Sequence, residues 1–262
     1  MVVARLRAAG CVFAEDEAWL IAEAATTHEE CERLVRRRVA GEPLEYVLGW
    51  AEFCGLRISV TPGVFVPRRR TEALVREAVR LLAPVAGEDN VVVDLCCGSG
   101  AIAVAIRALA PSAEVYATDV DPAAVECARR NVEPTGGRVF QGDLFDALPA
   151  GLRGRVFVVV ANAPYVPTEA IAFMPLEARD HEHRIALDGG SDGTELHRRI
   201  AAEAPAWLAR GGHLLIESSR AQGPTTARHM ADAGLAVRVV EDDECDATVV
   251  IGDANSGARP KP

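Results

Sequence analysis

From residue 90 onward, short runs of β-branched residues alternate with segments whose apolar positions recur every three or four residues. The runs Val91–Leu95, 114–118, Arg138–Gln141, Val156–Ala161, 213–217, 236–240 and 248–251 read as strands. Ala101–Leu109, 122–131, 195–209 and 222–233 read as helices. Val91-Val92-Val93 and residues 156–160 carry no polar alternation, which is the pattern of strands covered on both faces. The alternation predicts an α/β fold: a mostly parallel sheet with helices on both faces, with ligands gathering at the carboxyl ends of the strands. Upstream the pattern differs. Ala18, Ile21, Ala22 and Ala25, then Cys31, Leu34, Val35 and Val39, fit two short amphipathic helices within residues 15–38. Gly41-Glu42-Pro43 breaks that periodicity, and residues 52–60 alternate as a hairpin around Gly55. Thr71 is placed to cap a helix over Glu72–Leu82 with its hydroxyl. The expected organisation is a helical segment (1–50), a hairpin linker (51–70), a main domain (71–252) and a disordered tail (253–262) rich in Gly, Pro and Ala.

Composition narrows the function classes. The 262 residues are 49% hydrophobic and 25% charged, which suits one large domain with a small appendage and excludes collagen, coiled coil and disorder. The seven cysteines are odd in number, place Cys96 beside Cys97 and show no C-x-x-C spacing, so they read as reduced thiols, with no metal expected. The longest apolar runs are too short to span a bilayer, and residues 1–10 hold no apolar stretch followed by a cleavage site, so a cytoplasmic location is expected. A formal charge of −10 opposes unspecific binding to phosphate backbones. Lys261 is the only lysine, which leaves no internal amine for Schiff-base chemistry.

Four motifs carry candidate chemistry. Asp94-Leu-Cys96-Cys97-Gly98-Ser99-Gly100 joins a strand to a helix, and its glycines let a ligand approach the backbone. Asp94 there would repel a diphosphate and tolerate an ammonium or sulfonium; the plain alternative is an acid capping a tight turn. Asp119, ending the next strand, suits the paired hydroxyls of a ribose, or else it or Asp121 caps the helix from Pro122. Asp143, after the third strand, is placed to receive an adenine amino group with Leu144 against the ring, or is a loop acid. Three acids after three successive strands describe an adenosyl site. The fourth motif, Asn162-Ala163-Pro164-Tyr165, follows an apolar strand. The Asn162 side-chain oxygen and the Ala163 carbonyl can take the two N–H groups of a planar nitrogen and aim it at an electrophilic methyl. Pro164 stiffens the turn and Tyr165 can pack on the planar group; an Asx-type turn is the alternative.

Together these residues resemble the HemK-like protein-(glutamine-N5) methyltransferases, which methylate the Gly-Gly-Gln glutamine of peptide-chain release factors with S-adenosylmethionine. The resemblance runs from about Gly41 to Gly252. It includes Gly41-Glu-Pro-Leu-Glu-Tyr46, Val66-Pro67-Arg68 with Thr71-Glu72, the 94–100 loop, Asp119, Gly142-Asp143-Leu144-Phe145 and Asn162–Tyr165, then Glu182, Gly189-Gly190, Asp192-Gly193, Glu217 and Gln222. It implies a Rossmann-like class I methyltransferase sheet. It also implies a cofactor site of Arg68, Thr71, Asp94, Cys96, Cys97, Gly98, Ser99, Gly100, Asp119, Val120, Asp143, Leu144 and Asn162, and a catalytic turn of Asn162, Ala163, Pro164 and Tyr165. Arg68 is expected to face the cofactor's methionine carboxylate or to brace a lid over it; the plain alternative is a surface arginine at a helix start, beside Arg69 and Arg70. The chain departs from the family in three places. Cys96 stands where Gly is usual and is compatible only if that position does not need positive φ. Asn-Pro-Pro-Tyr has become Asn162-Ala163-Pro164-Tyr165, which keeps the carbonyl. His181-Glu182-His183 replaces Tyr-Glu-Pro and reads as solvated imidazoles. The N-terminal helical segment, which in the family helps hold the protein substrate, is shorter than usual. The rival readings are an adenine-N6 or ribosomal RNA methyltransferase, a non-catalytic cofactor-binding protein, and more distantly a dehydrogenase.

Overall fold

The computed structural model describes residues 1–83 and 90–254. A seven-stranded sheet organises the chain: β3 (Val91–Leu95), β4 (Glu114–Asp119), β5 (Arg138–Gln141), β6 (Val156–Ala161), β7 (Leu208–Ser218), β8 (Ala236–Asp242) and β9 (Ala247–Asp253), in the order β5-β4-β3-β6-β7-β9-β8. All neighbours are parallel except β9, which runs antiparallel to β7 and β8. Strand order reverses at β3, between β4 and β6, and this is where an open α/β sheet leaves a crevice at its carboxyl edge. Every residue of β3 is buried, Asp94 included, as expected of a strand covered on both faces. Val92, Val158 and Leu215 pack on one face against α5 (Glu72–Leu82), α6 (Ala101–Leu109) and α7 (Pro122–Val132). Val91, Val93, Val159 and Leu214 pack on the other with Ile200 of α9 (Glu195–Glu203) and Met230 of α10 (Gly223–Asp232).

The upstream part holds more than the two expected helices: α1 (Val2–Ala8), α2 (Ala14–Ala24), α3 (His28–Val39) and α4 (Leu44–Leu48) close around Leu6, Ile21, Leu34, Val35 and Val47. Thr27 caps α3, its hydroxyl accepting from Glu30 N at 3.1 Å, and α4 ends at Gly49 with φ 81°. The hairpin forms as β1 (Trp50–Phe53) and β2 (Leu56–Ser59), turning on Cys54 and Gly55 at φ 51° and 72°, the primed turn that matches strand twist. Phe53 reaches from it into the main core.

Three boundaries differ from the sequence reading. The helix expected over 195–209 stops at Glu203: Pro205, which has no N–H to give, sits in a 3₁₀ turn, and Leu208 already belongs to β7. Thr71 does not cap α5 with its side chain, because a 3₁₀ turn over Arg69–Thr71 runs straight into the helix and supplies its first backbone partners. Asp253, read as tail, ends β9, and Ala254 N bonds Gly212 O at 2.8 Å; the rest of that tail lies outside the described residues.

Candidate active site

A cleft of about 1190 Å³ opens at the carboxyl ends of β3, β4 and β6. Its floor is the loop after β3, with Cys96, Gly98 and Gly100 at φ 55°, 55° and 77°. Asp119 ties that loop to the next one: its Oδ2 accepts Gly98 N at 2.8 Å and its Oδ1 accepts Asp121 N at 2.9 Å. Burial pushes the Asp119 carboxyl above its ordinary pKa, and those N–H groups oppose the rise. A Cβ on Gly98 would meet only Phe65, at 3.9 Å, so this backbone is open to a ligand.

Two residues expected at the ligand are elsewhere. Asp94 is fully buried behind the loop, where it accepts Ala103 N at 3.1 Å at the start of α6. This is the capping alternative, and burial lifts its pKa to about 8. Asp94 does not line the cleft, so discrimination by charge falls to the acids that do, Asp119 and Asp143. Gly100 faces α7: a Cβ there would lie 2.5 Å from Val132 and 3.3 Å from Ala128, so it serves close packing. The condition set for Cys96 also fails, since this residue does adopt positive φ. A left-handed non-glycine residue costs about 1–2 kcal/mol, so Cys96→Gly is expected to be about 1 kcal/mol more stable than Cys96→Ala in denaturant unfolding, the reverse of their order in a helix.

The remaining candidates, Arg68, Thr71, Cys96, Cys97, Gly98, Ser99, Asp119, Val120, Asp143, Leu144 and Asn162–Tyr165, all line the cleft. Leu144 also takes positive φ, 48°, a second strained position in the wall. Asp143 sits at the rim and is paired with Arg199 of α9 at 2.7 Å.

The turn after β6 forms the far wall. Asn162 Nδ2 donates to Thr71 Oγ at 3.1 Å, and among the described residues Asn162 Oδ1 and the Ala163 carbonyl have no donor. Two adjacent acceptors are thus left for something else. A Cβ on Gly189 would lie 2.7 Å from Pro164 O and from Tyr165 Cα, and one on Gly193 2.2 Å from Tyr165 O, which explains Gly189 and Gly193: they press backbone against the turn. Gln222 Nε2 fixes the same segment through Tyr165 O at 2.8 Å.

Sequence reasoning missed Arg70. It stands in a run of three arginines that reads as a solvated helix start, yet it lines the cleft, donates to the Tyr165 hydroxyl and bonds Glu217 Oε1 at 3.2 Å. Glu217, at the end of β7, is 1% exposed, and burial raises its pKa against the pull of Thr71 and Arg70. Arg68 pairs with the buried Glu182, which also accepts Val66 N at 3.2 Å, so Arg68 braces the segment that overhangs the cleft. The buried Arg38 ties the same segment to the upstream helices, bonding Glu17 of α2 at 2.6 Å and Glu177 of α8 (Leu176–His181) at 2.6 Å. His183 is not simply solvated: its Nδ1 lies 2.6 Å from Asp121 Oδ2, and its backbone N bonds Gly63 O at 2.8 Å.

A sequence model of the methyltransferase small domain family matches residues 55–176. A methyltransferase structure from Pyrococcus furiosus superposes with a TM-score of 0.56 at 18% identity, over 77% of this chain and 90% of that one, a likeness of fold. Fold and domain thus define the class, a methyltransferase on a Rossmann-like sheet with helices on both faces. A release factor glutamine methyltransferase of Geobacter sulfurreducens is 45% identical over 197 residues, covering 74% of this chain and 67% of the relative. A 4-amino-L-phenylalanine/4-methylamino-L-phenylalanine methyltransferase of Streptomyces pristinaespiralis is 40% identical over 70% of this chain and 63% of the relative. The chain belongs to the release factor glutamine methyltransferase family, and the match spans about two thirds of the length of such relatives.

Proposed function

We propose that this protein transfers a methyl group from S-adenosylmethionine to the side-chain nitrogen of a glutamine in a peptide-chain release factor. The observation that carries this reading is the pair of unengaged acceptors, Asn162 Oδ1 and the Ala163 carbonyl, on residues that line the same cleft as the glycine loop and Asp119. The cleft fits the cofactor: bare backbone at Gly98, carboxylates at Asp119 and Asp143 and apolar surface from Val120 and Leu144 suit an adenosine, while Thr71 and the loop 96–99 flank the methionine end. When bound, S-adenosylmethionine supplies a methyl already activated on a sulfonium.

The protein's own work is then placement. An amide nitrogen is a poor nucleophile while its lone pair is delocalised. Asn162 Oδ1 and Ala163 O accept its two N–H groups and fix its plane, and Tyr165, stiffened by Pro164 and held by Arg70, packs beside it. Among the described residues no helix is long and apolar enough to cross a membrane, and the charge of −10 disfavours nucleic acid as the substrate. Residues 1–50 are assigned to holding the protein substrate, and the enzyme to the cytoplasm where release factors work.

The test is labelled methyl transfer from S-adenosylmethionine into purified release factors, ribosomes, bulk nucleic acid and free 4-amino-L-phenylalanine in parallel. Label is expected in a glutamine of the release factor. Label confined to nucleic acid or to the aromatic amine would replace this reading, and cofactor binding with no transfer would mark a non-catalytic protein.

A further inference from the structure

We propose that His183 is a clasp: its bond to Asp121 holds residues 63–66 down over the glycine loop and sets how fast the cofactor enters and leaves. The proposal rests on the reading that the cleft holds S-adenosylmethionine. Gly63, Val64 and Phe65 line the cleft, and a Cβ on Gly98 would lie 3.9 Å from Phe65 Cβ. Residues 63–66 are thus a roof above the bare backbone of the loop.

Two adjacent residues of the overhanging segment pin this roof. Glu182 bridges to Gly63 and accepts Val66 N at 3.2 Å. His183 N donates to Gly63 O at 2.8 Å, and its imidazole lies on the bare Cα of Gly63, where a Cβ would come 2.4 Å from Nε2. The ring then reaches past the roof to α7. A carboxylate only accepts, so Nδ1 carries the proton in its 2.6 Å bond to Asp121 Oδ2. A proline, usual in the family at this position, could make neither bond, having no N–H and no ring donor.

The far end of the clasp is fixed. Asp121 Oδ1 accepts Ala123 N at 2.9 Å and so caps α7, and Asp121 N donates to Asp119 Oδ1 at 2.9 Å, next to the acid assigned to the ribose. Val64 packs on Ala124 and Cys127 of α7, so the roof is caught between that helix and His183. The Asp121 side chain is 12% exposed and that of His183 50%, so the His183 end is the one water reaches, and the clasp can open without unpacking the core. Opening precedes both entry and exit, which gives a gate a signature that a ligand contact lacks. In His183→Ala, the association and release rates of the demethylated product, S-adenosylhomocysteine, are expected to rise together about fivefold. Affinity and thermal midpoint should stay close to wild type.

Further variants separate the clasp from a merely structural role. Asp121→Ser keeps a cap for α7 but cannot reach the ring, so it is expected to match His183→Ala, and the double variant to be no faster than either. His183→Asn keeps a donor at the place of Nδ1 and should stay near wild type. Rapid mixing and chase with labelled product read these rates. In the unliganded protein, hydrogen exchange at the Val66 amide is expected to quicken about fivefold in His183→Ala, with the amides of β3 unmoved. Unchanged rates in His183→Ala, faster release with an equal loss of affinity, multiplied effects in the double variant, or unmoved exchange at Val66 would each overturn the clasp. A wild type that binds no S-adenosylmethionine would defeat the reading of the cleft instead, and the Val66 amide would still judge the clasp.

Discussion

Asn162→Ala is expected to reduce turnover about a hundredfold or more, because it deletes a positioning acceptor of the kind that contributes about 2–4 kcal/mol at the transition state. Cofactor affinity should change far less, since the glycine loop, Asp119, Val120 and Leu144 lie on other walls of the cleft. The change also leaves the buried Thr71 hydroxyl without its donor, at a further small cost in stability. Asn162→Asp is the sharper companion. It retains an acceptor of the same shape, but one of its oxygens now sits where Nδ2 was, 3.1 Å from Thr71 Oγ, so the Thr71 hydroxyl must turn from accepting to donating. Both variants should therefore fall, for different reasons: the alanine lacks the acceptor, and the aspartate adds a charge beside the methyl donor and disturbs what holds it. Ala163→Pro, by contrast, should be neutral or mildly activating. The Ala163 N–H makes no hydrogen bond among the described residues, so a proline there forfeits nothing and stiffens the approach to its carbonyl. The measurement is mass spectrometry of release-factor tryptic peptides. Methylated glutamine present with wild type and lost in Asn162→Ala is the expected pattern, and full methylation by Asn162→Ala would remove Asn162 from the mechanism.

How much of this site could be read from the chain depends on how local each cause is. β3 and β6 were legible because strands covered on both faces leave unbroken apolar runs, and the turn at Asn162 because it follows one directly. The overhanging segment after Tyr165 was not. It is held by long-range backbone bonds, such as Val166 N to Leu187 O at 3.1 Å and Gly189 N to Val166 O at 2.9 Å, which leave no periodicity in the sequence. α1 and α4 were missed for another reason: helices of 7 and 5 residues show too few turns to repeat an apolar spacing. Asp94 misled because a carboxylate before a glycine loop looks the same whether it faces the ligand or the helix behind. Only the path of the loop, with Cys96 driven to positive φ, decides that it points inward to Ala103. Arg70 was hidden by its neighbours Arg68 and Arg69, since identical residues in a row give no hint of which one the 3₁₀ turn aims at Glu217.

Asp119→Ala is expected to weaken S-adenosylmethionine binding about tenfold to a hundredfold, the 1–3 kcal/mol of stranding polar groups at a buried site. The structure shows why the loss should exceed that of one ligand contact. Each Asp119 oxygen already accepts a backbone N–H, from Gly98 at 2.8 Å and Asp121 at 2.9 Å, so the carboxylate joins the glycine loop to the entrance of α7. Each oxygen keeps a second lone pair, and these are what the vicinal hydroxyls of a ribose would engage. Alanine removes both roles, and the thermal midpoint should drop with the affinity. Asp119→Asn does not restore them: its NH2 must face one of the two N–H groups, donor to donor, so it is expected to bind nearly as poorly. The two roles are separated by the ligand rather than by the variant. Wild type should bind S-adenosylmethionine more tightly than an analogue lacking the ribose hydroxyls, and Asp119→Ala should bind both alike, because the group that distinguishes them is gone. Titration calorimetry reads all of these. Equal discrimination between the two ligands in wild type and Asp119→Ala would reduce Asp119 to a loop tether, and heat released by NAD with none from S-adenosylmethionine would mean that the cleft holds a different nucleotide.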